Sequence, residues 1–422
     1  MTRSALVLRT LRGLLGAGLA LAACADPPTT SRVSRAPAAN RGTGSGPRAD
    51  AALLSVAWEA TARQLIASHP TFTPVTAVRV YALHALAQYG GLVAADFGGG
   101  TAQFEVRRGA IAGASAQLLA FVFPDAAAML EAQLAAQAAG GDGRVHPQFA
   151  RGVAIGRAMG DLMIAWARAD GATTPWTGPP LPTGAGIWTP APNSVPAGIQ
   201  VPRTHPYFLT SASQFRPPPP PAFGTAAFDV EVARVLAVTQ ARTPAQAAIA
   251  NLWNQGSGTE TTPGFWLREA AELAVAAGLD ERETAHLLAL LGATMLDASV
   301  GCFDAKYFYL VLRPSQANPA ITRPEGLPGF PYALPNHPSY PSGHMCLSGA
   351  AVTILSAYFP RSADMLAAQL QEAGLSRVYG GIHYFMDIAA GQTLGRQTAL
   401  LALAYDDAYG LLTAVPGLGV SP

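Results

Sequence analysis

Charge is what this sequence has least of: 13% of its 422 residues are Asp, Glu, Lys or Arg, and the formal net charge is +1. No run of lysines or arginines occurs along it. That removes the electrostatic basis for gripping a phosphate backbone, so no nucleic-acid partner is expected. Period-two alternation of β-branched residues is scarce, which argues against sheet. A glycine-rich phosphate loop, a Gly-x-Ser-x-Gly elbow and a zinc-ligand pattern are all missing, and with them the chemistries those motifs serve. Five of the eight histidines, His69, His84, His146, His205 and His286, have no partner at metal-ligand spacing and read as structural or surface residues. Cysteine is limited to Cys24, Cys302 and Cys346. What the chain does have is apolar bulk, at 50% of residues. Much of it is alanine between Gly and Pro clusters, which favours helices. Such a balance suits an exported globular protein with a large core.

The first residues have the form of an export signal. Arg3, Arg9 and Arg12 precede an apolar stretch at 14–23, and no acidic residue occurs before Asp26. The stretch is too short to span a bilayer permanently. It ends in Leu21-Ala22-Ala23-Cys24, which resembles a bacterial lipobox, whose cysteine becomes the lipidated first residue of the mature chain. The expected organisation is a lipoprotein signal peptide at 1–23, a flexible tether of Pro, Thr, Ser, Ala, Arg and Gly at 24–49, and one domain at 50–415. This places the protein outside the cytoplasm, in the bacterial cell envelope (periplasm or cell surface), touching a membrane only through the lipid on Cys24. No later segment reads as a membrane span.

Within the domain, helical periodicity marks two segments in 51–97, two more in 109–140 interrupted at Pro124, and one at 153–167. Residues 170–224 differ. They are proline-rich, including five prolines at 217–221, yet carry Trp176, Trp188, Phe208 and Phe215. Disordered segments rarely hold that many aromatics, so an ordered surface excursion is expected. Helices resume at 226–239, 244–254 and 264–277, and a long one is predicted from about Glu281 to Leu312, stopping before Pro314. The fold class is all-α, a bundle of ten or more helices. Apolar helix faces leave room for a homodimer.

Three clusters carry chemistry. Lys306-x6-Arg313-Pro314 sits at the predicted end of the long helix, where seven residues would set both cations on one face, about 10.5 Å apart along the axis. Cations among apolar neighbours need an anion to neutralise them. Pro341-Ser342-Gly343-His344 opens an apolar helix at 345–359. The N–H groups of 342–343 and the Ser342 hydroxyl make an anion site there, and His344 can exchange a proton near neutral pH. In Ser376-Arg377-x5-His383-x3-Asp387, the carboxylate can take one ring N–H of His383 and leave the other nitrogen as nucleophile or metal ligand. Gly380-Gly381 lets Arg377 fold back beside that ring. Three fixed cations with helix N–H groups suit a tetrahedral oxyanion of two to three negative charges. Cys302 and Cys346 lie next to the first two clusters, and either a disulfide or a pair of buried thiols is compatible with that.

The three motifs in this order, with 26 and 31 residues between them, resemble the signature of the superfamily that unites vanadium-dependent haloperoxidases with type 2 phosphatidic acid phosphatases. The likeness extends to bacterial haloperoxidase-like proteins through Arg79-Val80-Tyr81-Ala82-Leu83, Ser213-Gln214-Phe215-Arg216-Pro217 and Asp304-Ala305-Lys306-Tyr307, and so covers about 50–410. It implies the helical bundle of that superfamily and a choice of two reactions. In a haloperoxidase, vanadate would be the cofactor, with His383 as axial ligand to vanadium. Lys306, Arg313, Arg377, Ser342 and Gly343 would hold its oxygens, and His344 would take a proton from peroxide. Hydrogen peroxide and halide would then be the substrates. In an acid phosphatase, His383 would attack a phosphomonoester to give a phosphohistidine and His344 would protonate the leaving alcohol. His337, seven residues before His344, resembles a second histidine beside the vanadate pocket of bromoperoxidase-type enzymes; the plainer reading is a loop histidine. The expectation is the haloperoxidase, with the phosphatase as alternative. A tethered protein that binds the oxyanion without turnover is a third reading, disfavoured because it would need neither His344, His383 nor Asp387.

Overall fold

Long alanine- and leucine-rich segments with few β-branched runs give helices over most of the described chain. A computed structural model of the chain describes residues 53–97, 103–139, 146–324 and 334–415. The expected signal peptide, the tether and Cys24 lie outside the described residues. Thirteen α-helices follow in order among the described residues: α1 Leu54–Ser68, α2 Pro74–Asp96, α3 Gln103–Val122, α4 Ala127–Ala138, α5 Pro147–Ala169, α6 Ala226–Gln240, α7 Pro244–Leu252, α8 Thr261–Ala277, α9 Glu281–Tyr309, α10 Pro314–Ala317, α11 Gly343–Tyr358, α12 Ala363–Tyr379 and α13 Phe385–Tyr409. No strand forms among these residues; an isolated antiparallel bridge joins Ile187 to Val311. The all-α class is what the composition implied.

The spine is α9, which packs against α2, α8, α11 and α13. Its start is encoded locally. The Asp280 carboxylate accepts from Glu283 N at 2.8 Å and Glu283 Oε2 accepts from Asp280 N at 2.9 Å, a reciprocal cap that satisfies two otherwise orphaned donors. By length and apolarity α9 would suffice to cross a bilayer, contrary to the expectation that no segment beyond the leader would; 94% of its apolar window is buried inside the protein instead.

The end of α9 also departs from expectation. The helix stops at Tyr309, and Leu310 turns into the left-handed region with φ 50° and ψ 37° while its N–H still reaches Lys306 O. Residues 310–312 then lie outside any helix. Leu310 O accepts from Trp188 N at 2.7 Å and Val311 O from Ser339 N at 2.9 Å. Pairing with these two loops replaces the last helical turn, so Lys306 and Arg313 do not share a helix face. Lys306 stands in the final turn of α9 and Arg313 at the N-cap of α10.

The proline-rich excursion is ordered, as its aromatics suggested, and it wraps α9. Trp188 and Phe208 are buried and Phe215 packs partly buried on the core. Trp176 is not an anchor: it is 41% exposed, with the Arg203 guanidinium stacked over it. The strongest tie is Asp297 on α9, whose carboxylate accepts the N–H groups of Tyr207, Phe208 and Leu209 at 2.7–2.9 Å. Away from α9, α3 and α5 cross so closely that backbone meets backbone. A Cβ on Gly156 would lie 2.0 Å from Ala110 O, and one on Gly109 2.1 Å from Phe149 O.

Candidate oxyanion site

Three chain segments converge at one end of α9. The loop before α11 folds over Lys306, the N-terminus of α11 abuts α13, and the turn from α12 to α13 brings His383 beside Arg313. Gly391 makes the second approach possible, since a Cβ there would fall 2.6 Å from Ser342 O. Gly381, at φ +67° and hard against Thr322 O, makes the turn. All the expected site residues of the domain meet here, around a cavity of about 280 Å³ lined in part by Gly343, His344, Arg377, His337 and His383.

The cations are fully withdrawn from water. Lys306, Arg313 and Arg377 are each 2% exposed or less. Lys306 Nζ donates to Pro338 O and Ser339 O, both at 2.9 Å, and to Pro341 O. Arg313 donates through Nε to His337 O, through Nη1 to Ile382 O, and through Nη2 to His337 Nδ1 at 3.0 Å. Arg377 donates to Ser376 Oγ and Ala250 O. Every one of these acceptors is uncharged. Burial pushes Lys306 down to about 8, Arg313 to about 10 and Arg377 to about 9.

The histidines are set by their partners. Arg313 Nη1, which can only donate, lies 3.1 Å from His383 Nε2, and His383 Nδ1 lies 2.8 Å from Asp387 Oδ2. Nδ1 therefore carries the proton and Nε2 the lone pair. The expected His–Asp contact forms, although His383 precedes α13 and is not part of it. Ser339 Oγ at 2.6 Å and Tyr384 N at 3.1 Å also donate to Asp387 Oδ2. Burial raises the Asp387 carboxyl to about 6. For His344, Nε2 faces the carbonyl oxygen of Trp253 at 3.0 Å and Thr262 Oγ1 at 3.0 Å. A carbonyl can only accept, so Nε2 is protonated and Nδ1 is bare. Loss of water, followed by the nearby cations, holds His344, His383 and His337 well below the usual imidazole value. All three are neutral in this arrangement.

At the helix N-terminus the donors differ from the sequence reading in one respect. Ser342 N is taken by Asp387 O at 3.0 Å, leaving Gly343 N and His344 N at the head of α11. Ser342 Oγ is buried without a hydrogen-bond partner among the described residues. With neutral imidazoles, the site holds three cations against one carboxylate, a net charge near +2.

Ser339, Thr262 and the Trp253 carbonyl were not identified from the sequence. Ser339 lies three residues before the Ser342 motif and could have been suspected. Thr262 and Trp253 come from outside the motifs, and no spacing announces them. Cys302 and Cys346 are both buried free thiols. The remaining histidines serve elsewhere: His84 is buried beside Gln88, His69 contacts Asp125, His286 bridges Tyr358 and Asp406, and the His205 ring lies against Trp166.

Residues 285–409 match the PAP2 superfamily. A non-specific acid phosphatase of Salmonella typhi is 37% identical over 93 residues, which is 22% of this chain and 36% of that protein, so the chain matches about a third of that relative's length. The structure resembles that of the first bacterial vanadium-dependent iodoperoxidase, with a TM-score of 0.70 and 22% identity over 82% of this chain and 95% of the other. It also resembles bacterial vanadium-dependent chloroperoxidase in its apo form (TM-score 0.64, 15% identity, 81% and 94% covered) and its holo form (0.64, 15%, 80% and 93%). The chain shares the all-helical fold of those structures, and within it residues 285–409 match the PAP2 superfamily model.

Proposed function

We propose that this protein oxidises halide with hydrogen peroxide using vanadate held in the 280 Å³ cavity. The observation that carries the reading is the oxyanion cradle: an unprotonated Nε2 on His383 beside Arg313, the orphaned Ser342 hydroxyl, and three buried cations against a single carboxylate. That donor set fits vanadate. A net charge near +2 matches a dianion, and one imidazole lone pair among N–H and O–H donors suits a tetrahedral oxyanion better than a bare metal cation. His383 would hold vanadium, and Arg313, Arg377, Ser342 Oγ and Gly343 N–H would hold the oxygens. Vanadate bound there would supply a Lewis acid that activates peroxide toward halide.

The chain's own residues do the rest. Asp387, with Ser339 and Tyr384 N on the same oxygen, pins the His383 ring so that Nε2 stays a lone-pair donor. Lys306, its three N–H groups committed to carbonyls, acts on the anion through its charge. His344 presents the nitrogen that can accept a proton from peroxide. His337 and Phe303 pack ring against ring at 5.2 Å in the cavity wall, giving it a soft, half-aromatic face. This wall, together with a fold likeness that spans four-fifths of the chain, favours halide oxidation.

The second reading is hydrolysis of phosphomonoesters, supported by the 93-residue likeness to an acid phosphatase. Here His383 Nε2 would attack phosphorus while the same cations stabilise the transition state. His344, protonated at Nδ1, would serve the leaving alcohol. A lipid on Cys24, if added, would hold either enzyme to the cell envelope; incorporation of labelled palmitate that disappears in Cys24→Ala tests this.

The deciding experiment is paired. Purified protein is dialysed against orthovanadate and assayed for dye halogenation with peroxide and bromide or iodide; a vanadate-free sample receives p-nitrophenyl phosphate. Halogenation that requires vanadate supports the proposal. Phosphate release inhibited by vanadate, without halogenation, replaces it with the phosphatase.

A further inference from the structure

Two nucleophilic side chains at the cavity have no part in holding the anion. Cys302 on α9 and Cys346 on α11 are completely buried and reduced. Cys302 lines the cavity together with His344 and His383, one turn before Lys306. Its Sγ points at Pro341 O, 3.9 Å away, the same carbonyl that receives Lys306 Nζ. Cys346 lies in the first turn of α11, two residues past His344, and the two thiols are near enough to shift each other's ionisation.

We propose that Cys302 and Cys346 form a peroxide-oxidisable dithiol whose closure to a disulfide weakens anion binding in the cavity. A small neutral oxidant entering the cavity meets Cys302 in its wall, whereas Cys346 does not line it. The Cys302 sulfur attacks one peroxide oxygen, the O–O bond breaks, and water leaves, giving Cys302 sulfenic acid. Cys346 then attacks that sulfur; the S–S bond forms and the hydroxyl departs as a second water with the Cys346 proton. Two thiols supply the two electrons that reduce one peroxide. Burial opposes ionisation of Cys302, but its contact with Cys346 and the Lys306 and Arg313 charges outweigh it and bring its pKa below the ordinary thiol value, which assists the first step.

The consequence for the site follows from what the two residues hold. In the thiol form Cys302 is directed at Pro341 O, at the base of the loop that covers Lys306. The disulfide withdraws that contact and ties α9, one turn before Lys306, to the first turn of α11. The spacing between the cation and the helix N-terminus is then fixed by a covalent link rather than by the anion. Loss of an outer contact of this kind weakens binding roughly tenfold.

The oxidant is the co-substrate of the proposed halide oxidation, but the thiol chemistry needs neither vanadate nor halide, so the two ideas fail separately. The test treats the full chain, free of vanadate, with hydrogen peroxide, alkylates remaining thiols, and maps peptides by mass spectrometry. Orthophosphate affinity is measured by calorimetry before oxidation, after it, and after dithiothreitol. The expected result is a linked Cys302–Cys346 peptide pair, formed more slowly when orthophosphate fills the cavity, with affinity down roughly tenfold and restored by reduction. Cys346→Ser should leave a Cys302 sulfenic acid that dimedone traps, and phosphate affinity that peroxide lowers far less. Three results would overturn the proposal: both thiols still alkylated after peroxide, oxidation confined to Cys24, or a Cys302–Cys346 disulfide that leaves phosphate affinity unchanged.

Discussion

His383 shows how much of a site can be decided by its neighbours' hydrogen-bonding options. Arg313 cannot accept and the Asp387 carboxylate cannot donate, so the ring between them has a single neutral tautomer. Replacing His383 with Ala removes the group that either reaction needs, and we expect turnover to fall by roughly 10³-fold or more; near-normal turnover in a folded variant would refute the site. Asp387→Asn keeps the shape but can offer Nδ1 a donor instead of an acceptor, and should cost roughly 10²-fold with little change in unfolding midpoint. The second histidine is held by Thr262 and the Trp253 carbonyl. Thr262→Val leaves the carbonyl alone to orient His344. We expect a lower turnover with an altered pH profile and an unchanged KM, and ¹⁵N shifts that still show Nε2 protonated. If the profile is unmoved, Thr262 is merely packing. The motif residues were legible from spacing because each cluster is local. Thr262 and Trp253 were not, since they reach His344 from 82 and 91 residues away.

Elements obeyed local rules wherever the signal was local. The Asp280 cap, the Pro124 break and the restarts at Ala226, Pro244 and near Gly264 all appear where side-chain chemistry put them. The end of α9 did not, because the residues that stop it are not near it in sequence. Leu310-Val311-Leu312 has helix-compatible side chains; what removes it from the helix is pairing with Trp188, Ile187 and Ser339. Spacing alone set Lys306 and Arg313 on one helix face, yet they meet because the chain leaves the helix between them. The α3–α5 crossing is another tertiary feature. Glycines four apart at 109 and 113, and at 152, 156 and 160, are visible in the sequence, but nothing there says the two sets face one another. Gly156→Ala would drive a methyl into Ala110 O. A denaturant titration should show a loss of about 1–3 kcal/mol, with phosphate affinity intact because neither helix lines the cavity. A loss under about 0.5 kcal/mol would mean that the helices separate easily.

At the scale of the whole molecule, the site is a store of buried positive charge that the fold tolerates through uncharged acceptors and the one carboxylate of Asp387. A ligand that neutralises it must stabilise the native state, since the unfolded chain has no such cradle. At a hundred times its dissociation constant, orthophosphate should add about 2.7 kcal/mol to unfolding stability, seen as a rise of a few degrees in Tm. The pH dependence follows from Lys306, which faces Cys302, Arg313, Asp387 and Cys346 and whose pKa burial lowers from 10.5 to about 8. Below pH 8 the folded protein carries that charge at a cost. Between about 8 and 10.5 the unfolded state binds the extra proton, so the Lys306 contribution to stability of the anion-free protein rises with pH. Anion binding moves the other way, because the cation it uses is lost above pH 8. The phosphate-induced rise in Tm should therefore shrink steadily from pH 7.5 to pH 9.5, although phosphate itself becomes more fully dianionic over that range. Lys306→Met should lessen that dependence without abolishing it, because Arg377, brought down to about 9, still titrates in this range, and should leave a smaller rise carried by Arg313 and Arg377. A rise that is the same at both ends of the range, or equal in the variant, would show that the anion stabilises the protein from somewhere other than the end of α9.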